Sequence, residues 1–301
     1  MGELNALALA AGLGRRYGGL KQRDPLGPGG TTLLDFSLYD AWRAGVRRVV
    51  FVVHPDMAET WGPELRRRYG SRLDVAVAAQ RLDDLPPGIT PPATRRHPWG
   101  TTQAVLAARD SLTGCFVVLN ADDCYGPEAL QAAAEFLAGT APEQARAGVV
   151  AYRLAETLSP ATGVNRAVLD VDGEGLVRGA VEARELRAVA DAGVEGRVGE
   201  HSVWLTRDAL VSMNLWAFTP AVLPVLGAEF WSFLESGPGL EEECDLPTAV
   251  TAALRRGAVV LQALPTDSRW CGVTAPADRE WVSRDLASRV GSGEYPGRLW
   301  T

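Results

Sequence analysis

The stretch Leu7-Ala8-Leu9-Ala10-Ala11-Gly12-Leu13-Gly14-Arg15-Arg16-Tyr17-Gly18-Gly19-Leu20-Lys21-Gln22 decides the reading of the fold. An apolar run ends in a glycine-rich turn, and two arginines and a lysine follow. A strand feeding such a turn brings backbone N–H groups close to an anion, because glycine has no β-carbon to hold a ligand off, and the cations add neutralising charge. Single positions exclude two familiar phosphate loops. A dinucleotide G-x-G-x-x-G needs glycine where Tyr17 stands, and a Walker loop needs Gly-Lys-Ser/Thr where Leu20-Lys21-Gln22 stands.

Outward from this loop, short apolar runs alternate with helical patterns. Leu4 to Ala10, Arg48 to Val53, Leu73 to Ala79 and Cys115 to Asn120 read as strands; Thr31 to Ala44, Met57 to Tyr69 and Thr101 to Asp110 read as helices. Alternation of this kind predicts a parallel sheet. The unbroken run Val49 to Val53 is that of a strand covered on both faces, and functional loops belong at the carboxyl ends of such strands. From about Ala147 the pattern changes. Ala167 to Val171 and Leu176 to Ala180 flank the hairpin pair Asp172-Gly173, Ala209 to Phe218 and Ala258 to Leu264 read as strands, and Pro220 to Glu235 and Pro247 to Arg256 as helices. The proline-rich stretch Leu85 to Pro98 suits a loop lying over a site or an inert connector, and the turn-like composition of Gly291 to Thr301 suits a fraying tail.

Composition narrows the function. The chain has 301 residues, 47% of them hydrophobic, enough for a substantial core. Thirty basic and 37 acidic residues give a net charge of −7, so no basic surplus favours nucleic acid or an anionic membrane, and any phosphate site must be local. Cys115, Cys124, Cys244 and Cys271 are scattered, which speaks against a zinc site or a disulfide framework. The apolar start carries Glu3 instead of a basic leader, Ala6 stands where a myristoylation motif wants Ser or Thr, and no apolar run approaches bilayer length. A cytoplasmic, reduced protein is expected.

The opening resembles L-A-A-G-x-G-x-R followed by a lysine, and with it the chain resembles the sugar-phosphate nucleotidyltransferase family. The resemblance implies an α/β, Rossmann-like three-layer nucleotidyltransferase fold, with a mainly parallel central sheet and a mixed sugar-binding portion. It divides residues 1–146, the nucleotide-binding half, from 147–301, the acceptor half. It also implies that Leu9, Ala11, Gly12 and Gly14 line the nucleotide and that Arg16 and Lys21 contact its phosphates as catalytic cations. Arg15 departs from the usual Thr or Ser. Gln80 and the segment Gly100-Thr101-Thr102-Gln103-Ala104 match the family's base-reading strand end and G-T-A-x-A segment, so Gln80, Gly100 and Thr101 are assigned to the base. Taken alone, Gln80 would be a polar strand terminus and Thr101 a helix N-cap.

Val117-Val118-Leu119-Asn120-Ala121-Asp122-Asp123 sets two carboxylates after an apolar strand, where a hard divalent cation finds oxygen ligands. By resemblance Asp122 is catalytic and binds Mg2+; Asp123 is either a partner to that ligand or a cap for the helix near Pro127. The pair also resembles the D-x-D of glycosyltransferases. For the second metal ligand the W-x-D-x-G-T pattern is broken, because Gly272 occupies the aspartate's place in Trp270-Cys271-Gly272-Val273-Thr274; Asp278, with Asp267 as the alternative, is the nearby substitute.

The sugar side follows in order. Gly163 in Thr162-Gly163-Val164-Asn165-Arg166, Glu182, and Asn214 within Val211 to Phe218 are the sugar-binding candidates. Ala183 replaces the family's lysine after the glutamate, and Arg184 is a possible replacement cation. The cluster of Trp216, Phe218, Phe230, Trp231 and Phe233 reads as packing.

These residues suggest transfer of a nucleoside monophosphate from an NTP to a sugar 1-phosphate or similar acceptor, releasing pyrophosphate. A phosphate nucleophile is already anionic, so none of His54, His97 and His201 is needed as a base. The alternatives are a glycosyltransferase and, given Gly272 and Ala183, an inactive nucleotide-sensing module. Apolar helix faces leave a homo-oligomer open.

Overall fold

The computed structural model describes residues 3–12, 23–159, 162–189, 193–273 and 277–300. Four parallel strands form the first half of its main sheet in the order β3-β2-β1-β4: β1 (Asn5–Leu9), β2 (Arg48–Val53), β3 (Asp74–Ala79) and β4 (Phe116–Asn120). Alternate residues serve opposite faces. Ala6, Ala8, Val49, Phe51, Val117 and Leu119 pack with α1 (Leu33–Arg43), α2 (Pro55–Tyr69) and α4 (Pro127–Ala138). Leu7, Val50, Val52 and Val118 pack with α3 (Thr101–Ala107), α5 (Val222–Glu235) and α6 (Leu246–Arg255). The result is the expected three-layer arrangement.

The second half continues the same sheet. Beyond β4 come β11 (Leu210–Phe218), β7 (Val164–Val171), β8 (Val177–Val189), β9 (Gly193–Val198) and β10 (His201–Leu205), each antiparallel to its neighbour. A branch leaves β11 through β6 (Arg146–Arg153) to β12 (Val260–Thr266). A small ladder pairs β5 (Asp123–Cys124) with β13 (Cys271–Gly272), and α7 (Asp278–Gly291) packs beside it.

Two expectations are corrected and one is borne out. The tail does not fray: Tyr295 and Leu299 are buried, the Tyr295 hydroxyl donates to Asp40 Oδ2 at 2.6 Å, and Trp300 Nε1 donates to the Asp35 carbonyl at 3.2 Å. Its aromatic rings find a hydrophobic seat against Phe36, Tyr39 and Tyr69, which turn composition does not reveal. The proline-rich stretch has no helix or strand, as expected, and it is fastened down. Arg95 is buried within it and donates to the carbonyls of His97, Pro98, Gly239 and Glu242, with its guanidinium 3.6 Å from the Trp99 ring centroid. Finally, Asp123 does not cap α4. Gly126 is the N-cap without a side-chain bond, and Ser268 Oγ accepts from the Ala129 N–H at 3.1 Å. Among the described residues, no helix is long and apolar enough to cross a membrane.

Candidate functional site

Strand order reverses at β1 and β4, since β2 leaves on one side of β1 and β4 lies on the other, and ligands of open α/β sheets bind where such a reversal opens a crevice. A cleft of about 510 Å3 opens there. From the first half it takes Leu9 at the end of β1, Asn120 at the end of β4, Asp123 and Thr101. From the second it takes Asn165 and Arg166 on β7, Glu182 on β8, Ser212, Asn214 and Trp216 on β11, and Asp245 before α6. Residues far apart in sequence thus share one wall because β11 lies between β4 and β7.

The acidic turn is tightly organised. Asp123 Oδ2 accepts from Asn120 Nδ2 at 2.9 Å and from the Tyr125 hydroxyl at 3.2 Å. Burial, and then the charge of Asp122, raise the Asp123 carboxyl to about 7 against those hydrogen bonds and the charge of Arg166. Asp122 is half-buried in the turn beside the cleft and does not line its wall. Opposite, Gly272 pairs with Asp123 across the β5–β13 ladder.

The residues that the resemblance assigns to the base form a chain of contacts. Gln80 is buried and donates from Nε2 to the Gly100 carbonyl at 2.9 Å. Gly100 has φ 97°, and a β-carbon there would lie 2.7 Å from the Cys244 carbonyl oxygen, so only glycine serves. Thr101 does not cap its own helix, whose N-cap is Gly100. Its Oγ1 accepts from the Leu246 N–H at 2.8 Å and so caps α6. Asp245 is the N-cap of α6, but its carboxylate makes no cap bond. Burial first, then Glu243 and Glu182, raise its pKa.

Among the sugar-binding candidates, Glu182 accepts from Arg184 Nη2 at 2.6 Å and Nε at 3.0 Å, both side chains being exposed. Asn214 has φ 60° inside β11, where pairing with β6 slips between Ser212 and Trp216, and its N–H donates to Ser212 Oγ at 3.1 Å. A non-glycine residue held there carries a conformational cost that clusters at functional sites. Gly163 sits against β8; a β-carbon would lie 3.3 Å from the Glu185 backbone and 3.0 Å from Arg187 Nε. It does not line the cleft.

The structure therefore gathers Leu9, Thr101, Glu182 and Asn214 in one cleft, with Asp122 beside it and Gln80 and Gly100 supporting Thr101. Ala11 is buried and Gly12 exposed beyond β1. Gly14, Arg16 and Lys21 lie outside the described residues. Neither proposed second metal ligand lines the cleft. Asp267 is exposed and paired with Arg153 at 2.6 Å, and Asp278 is buried at the start of α7, accepting from Ser159 Oγ at 2.7 Å. Among the described residues no group of three His, Cys, Asp or Glu side chains forms a metal cage. Asn120, Asn165, Arg166 and Asp245 are cleft residues that the sequence motifs did not single out; the only trace of Asp245 was its place in the acidic run before Leu246-Pro247.

No family model matches the chain, and no curated protein matches it in sequence. Among solved structures it is similar to an inositol-1-phosphate CTP transferase from T. maritima, at 13% identity and a TM-score of 0.60, over 94% of this chain and 95% of that one. It is also similar to a UDP-glucose pyrophosphorylase solved with UDP-glucose, at 14% identity and a TM-score of 0.58, over 94% of this chain and 98% of that one. The likeness spans both halves of the sheet and shows a shared fold.

Proposed function

We propose that this protein is a nucleotidyltransferase that moves a nucleoside monophosphate from an NTP to a sugar 1-phosphate or a similarly phosphorylated polyol and releases pyrophosphate. The observation that carries this reading is the single cleft in which Leu9, Thr101 and Asn120 of the nucleotide half meet Glu182 and Asn214 of the acceptor half. The structural neighbours, named for CTP transfer to inositol 1-phosphate and for UDP-glucose pyrophosphorolysis, support it.

In such a transfer an acceptor phosphate oxygen attacks the α-phosphorus in line with departing pyrophosphate. The obstacle is repulsion between anions, so positioning and fixed charge supply most of the catalysis. The glycine turn, with Arg16 and Lys21, would meet the triphosphate, and Gln80, Gly100 and Thr101 would present the base-side wall. Glu182 and Asn214 would hold acceptor hydroxyls, whose geometry sets which sugar is accepted. Mg2+ fits the donor set: Asp122 and Asp123 offer one or two carboxylates, which is what this ion takes from a protein when phosphate oxygens and water complete its shell. When bound it would offset charge on the reacting phosphates. The cytoplasm, which keeps thiols reduced, suits the chain's four free cysteines.

The test is pyrophosphate release with Mg2+, each NTP being paired with a panel of sugar 1-phosphates and inositol 1-phosphate, and Asp122→Ala run in parallel. One productive pair silenced by the substitution is the expected result. Silence of the wild-type protein across the panel, with nucleotide still bound, would move the assignment to the sensing module.

A further inference from the structure

We infer that Arg166 is the anion-binding residue of the acceptor half, the contact for the acceptor's phosphate, and that Arg184 has no part in it. This rests on the transfer reading only for what the phosphate belongs to; the subsite itself rests on the cleft. Arg166 is the one basic residue lining it among the described residues. Its strand, β7, lies between β8, which carries Glu182, and β11, which carries Asn214, and β11 in turn borders β4, which leads into the acidic turn. An acceptor with its hydroxyls at Glu182 and Asn214 and its phosphate pointing toward that turn passes Arg166.

The guanidinium is buried and held from several sides. Nη1 donates to the Asn165 carbonyl at 2.8 Å, Nη2 donates to the Thr157 carbonyl, and the group lies 5.0 Å from the Trp270 ring centroid. Ala183, its partner across the β7–β8 ladder, is small and fully buried, which leaves it room. Yet its charge is not cancelled. Asp123 and Asp278 are near enough to act on it electrostatically, but neither makes an ion pair with it, and Nε is buried with no acceptor among the described residues. Burying an arginine without an ion-pair partner is expensive. A guanidinium fixed in orientation, with N–H groups left over, on the wall of a cleft, has the chemistry that recognises a phosphate monoester. Arg184 is arranged in the opposite way, exposed to solvent and folded onto Glu182.

The experiment is calorimetric binding of inorganic phosphate and of glucose 1-phosphate to the full chain, with Arg166→Gln, Arg166→Lys and Arg184→Gln. The proposal expects both probes to bind the wild type, Arg166→Gln to weaken them by about tenfold or more, and Arg166→Lys to recover part of that loss. It expects Arg184→Gln to stay within about twofold, the scale of an exposed contact. Wild-type protein that binds neither probe, Arg166→Gln that binds both normally, or Arg184→Gln that loses them would overturn it. Should Arg166→Gln fail to fold, Arg166→Lys carries the test: it should bind both probes more weakly than wild type, and wild-type affinity in it would overturn the proposal. Binding is read without turnover, so the two readings separate. Phosphate held through Arg166 in a protein that joins no NTP to any acceptor sinks the reaction and keeps the subsite; turnover with an unchanged acceptor KM in Arg166→Gln does the reverse.

Discussion

Gly272 stands directly across the β5–β13 ladder from Asp123, and a β-carbon at 272 would lie 2.9 Å from Asp123 Oδ1 and 2.3 Å from the Trp270 indole. The position where a second metal-binding aspartate was sought has no space for a side chain, because the indole beneath Arg166 fills it. Gly272→Ala should therefore lower stability by about 1–3 kcal/mol, as overpacking does. Gly173→Ala, in open space, should stay within about 0.5 kcal/mol. Urea unfolding of the two variants measures both, and equal midpoints would mean that the indole swings aside freely.

Thr101, the first residue of α3, ties that helix to α6 by capping α6 through the Leu246 N–H. Thr101→Ala should cost about 1 kcal/mol, and Thr101→Ser, which keeps the accepting oxygen, only a fraction of that. Denaturant midpoints of the three proteins report the difference. Identical losses in the alanine and serine variants would assign the effect to the methyl group instead of the cap.

Asp245 is a cleft carboxylate that makes no helix-cap bond, and Glu182 is near enough to help raise its pKa. If it accepts from an acceptor hydroxyl, Asp245→Ala should raise the acceptor KM roughly ten- to a hundred-fold, the worth of a hydrogen bond to a charged group. The KM for NTP should hardly move. A change confined to NTP would place Asp245 on the wrong substrate.

Asp40 sets a pH dependence remote from the cleft. Burial raises its carboxyl from 3.8 to about 7 despite the Tyr295 hydrogen bond, and its Oδ1 has no partner among the described residues. A carboxyl whose folded pKa is raised contributes full stability below its unfolded value and loses that contribution as pH climbs through the folded one. Wild-type stability from this group should fall between about pH 4 and pH 7, by roughly 4 kcal/mol at most. Asp40→Asn removes that slope, so its stability relative to wild type should rise with pH across the same window. Parallel profiles for the two proteins, measured by urea unfolding, would contradict the shift.

The parallel half of the fold was legible because its signals are local. The uninterrupted run Val49 to Val53 can be satisfied only by burial on both faces, and β2 is buried in that way. Glu182 and Asn214 were legible only as members of an ordered series, since a strand-end carboxylate or amide has no distinctive neighbourhood in sequence. Arg166 and Asp245 escaped for a physical reason. A lone arginine in a strand is ordinarily solvated, and here alternation along β7 sets Arg166 on the same inward face as the buried Val164. Asp245 has no signal in sequence beyond an acidic run, and its place in the cleft beside Thr101 is made only by the folded chain. The buried tail likewise depends on partners distant in sequence, Tyr295 reaching back to Asp40.

The pairing of β11 with β4, through Trp216 to Val118, Ala217 to Val117 and Phe218 to Phe116, has a consequence for anyone who would take the protein apart. Cutting near residue 146 would strip β4 of its neighbour and leave a buried apolar edge open to aggregation, while β6 and β11 would lose the sheet they extend. The two halves of the sheet are thus one cooperative body. They should melt together in a single transition, and neither should persist as a portable module.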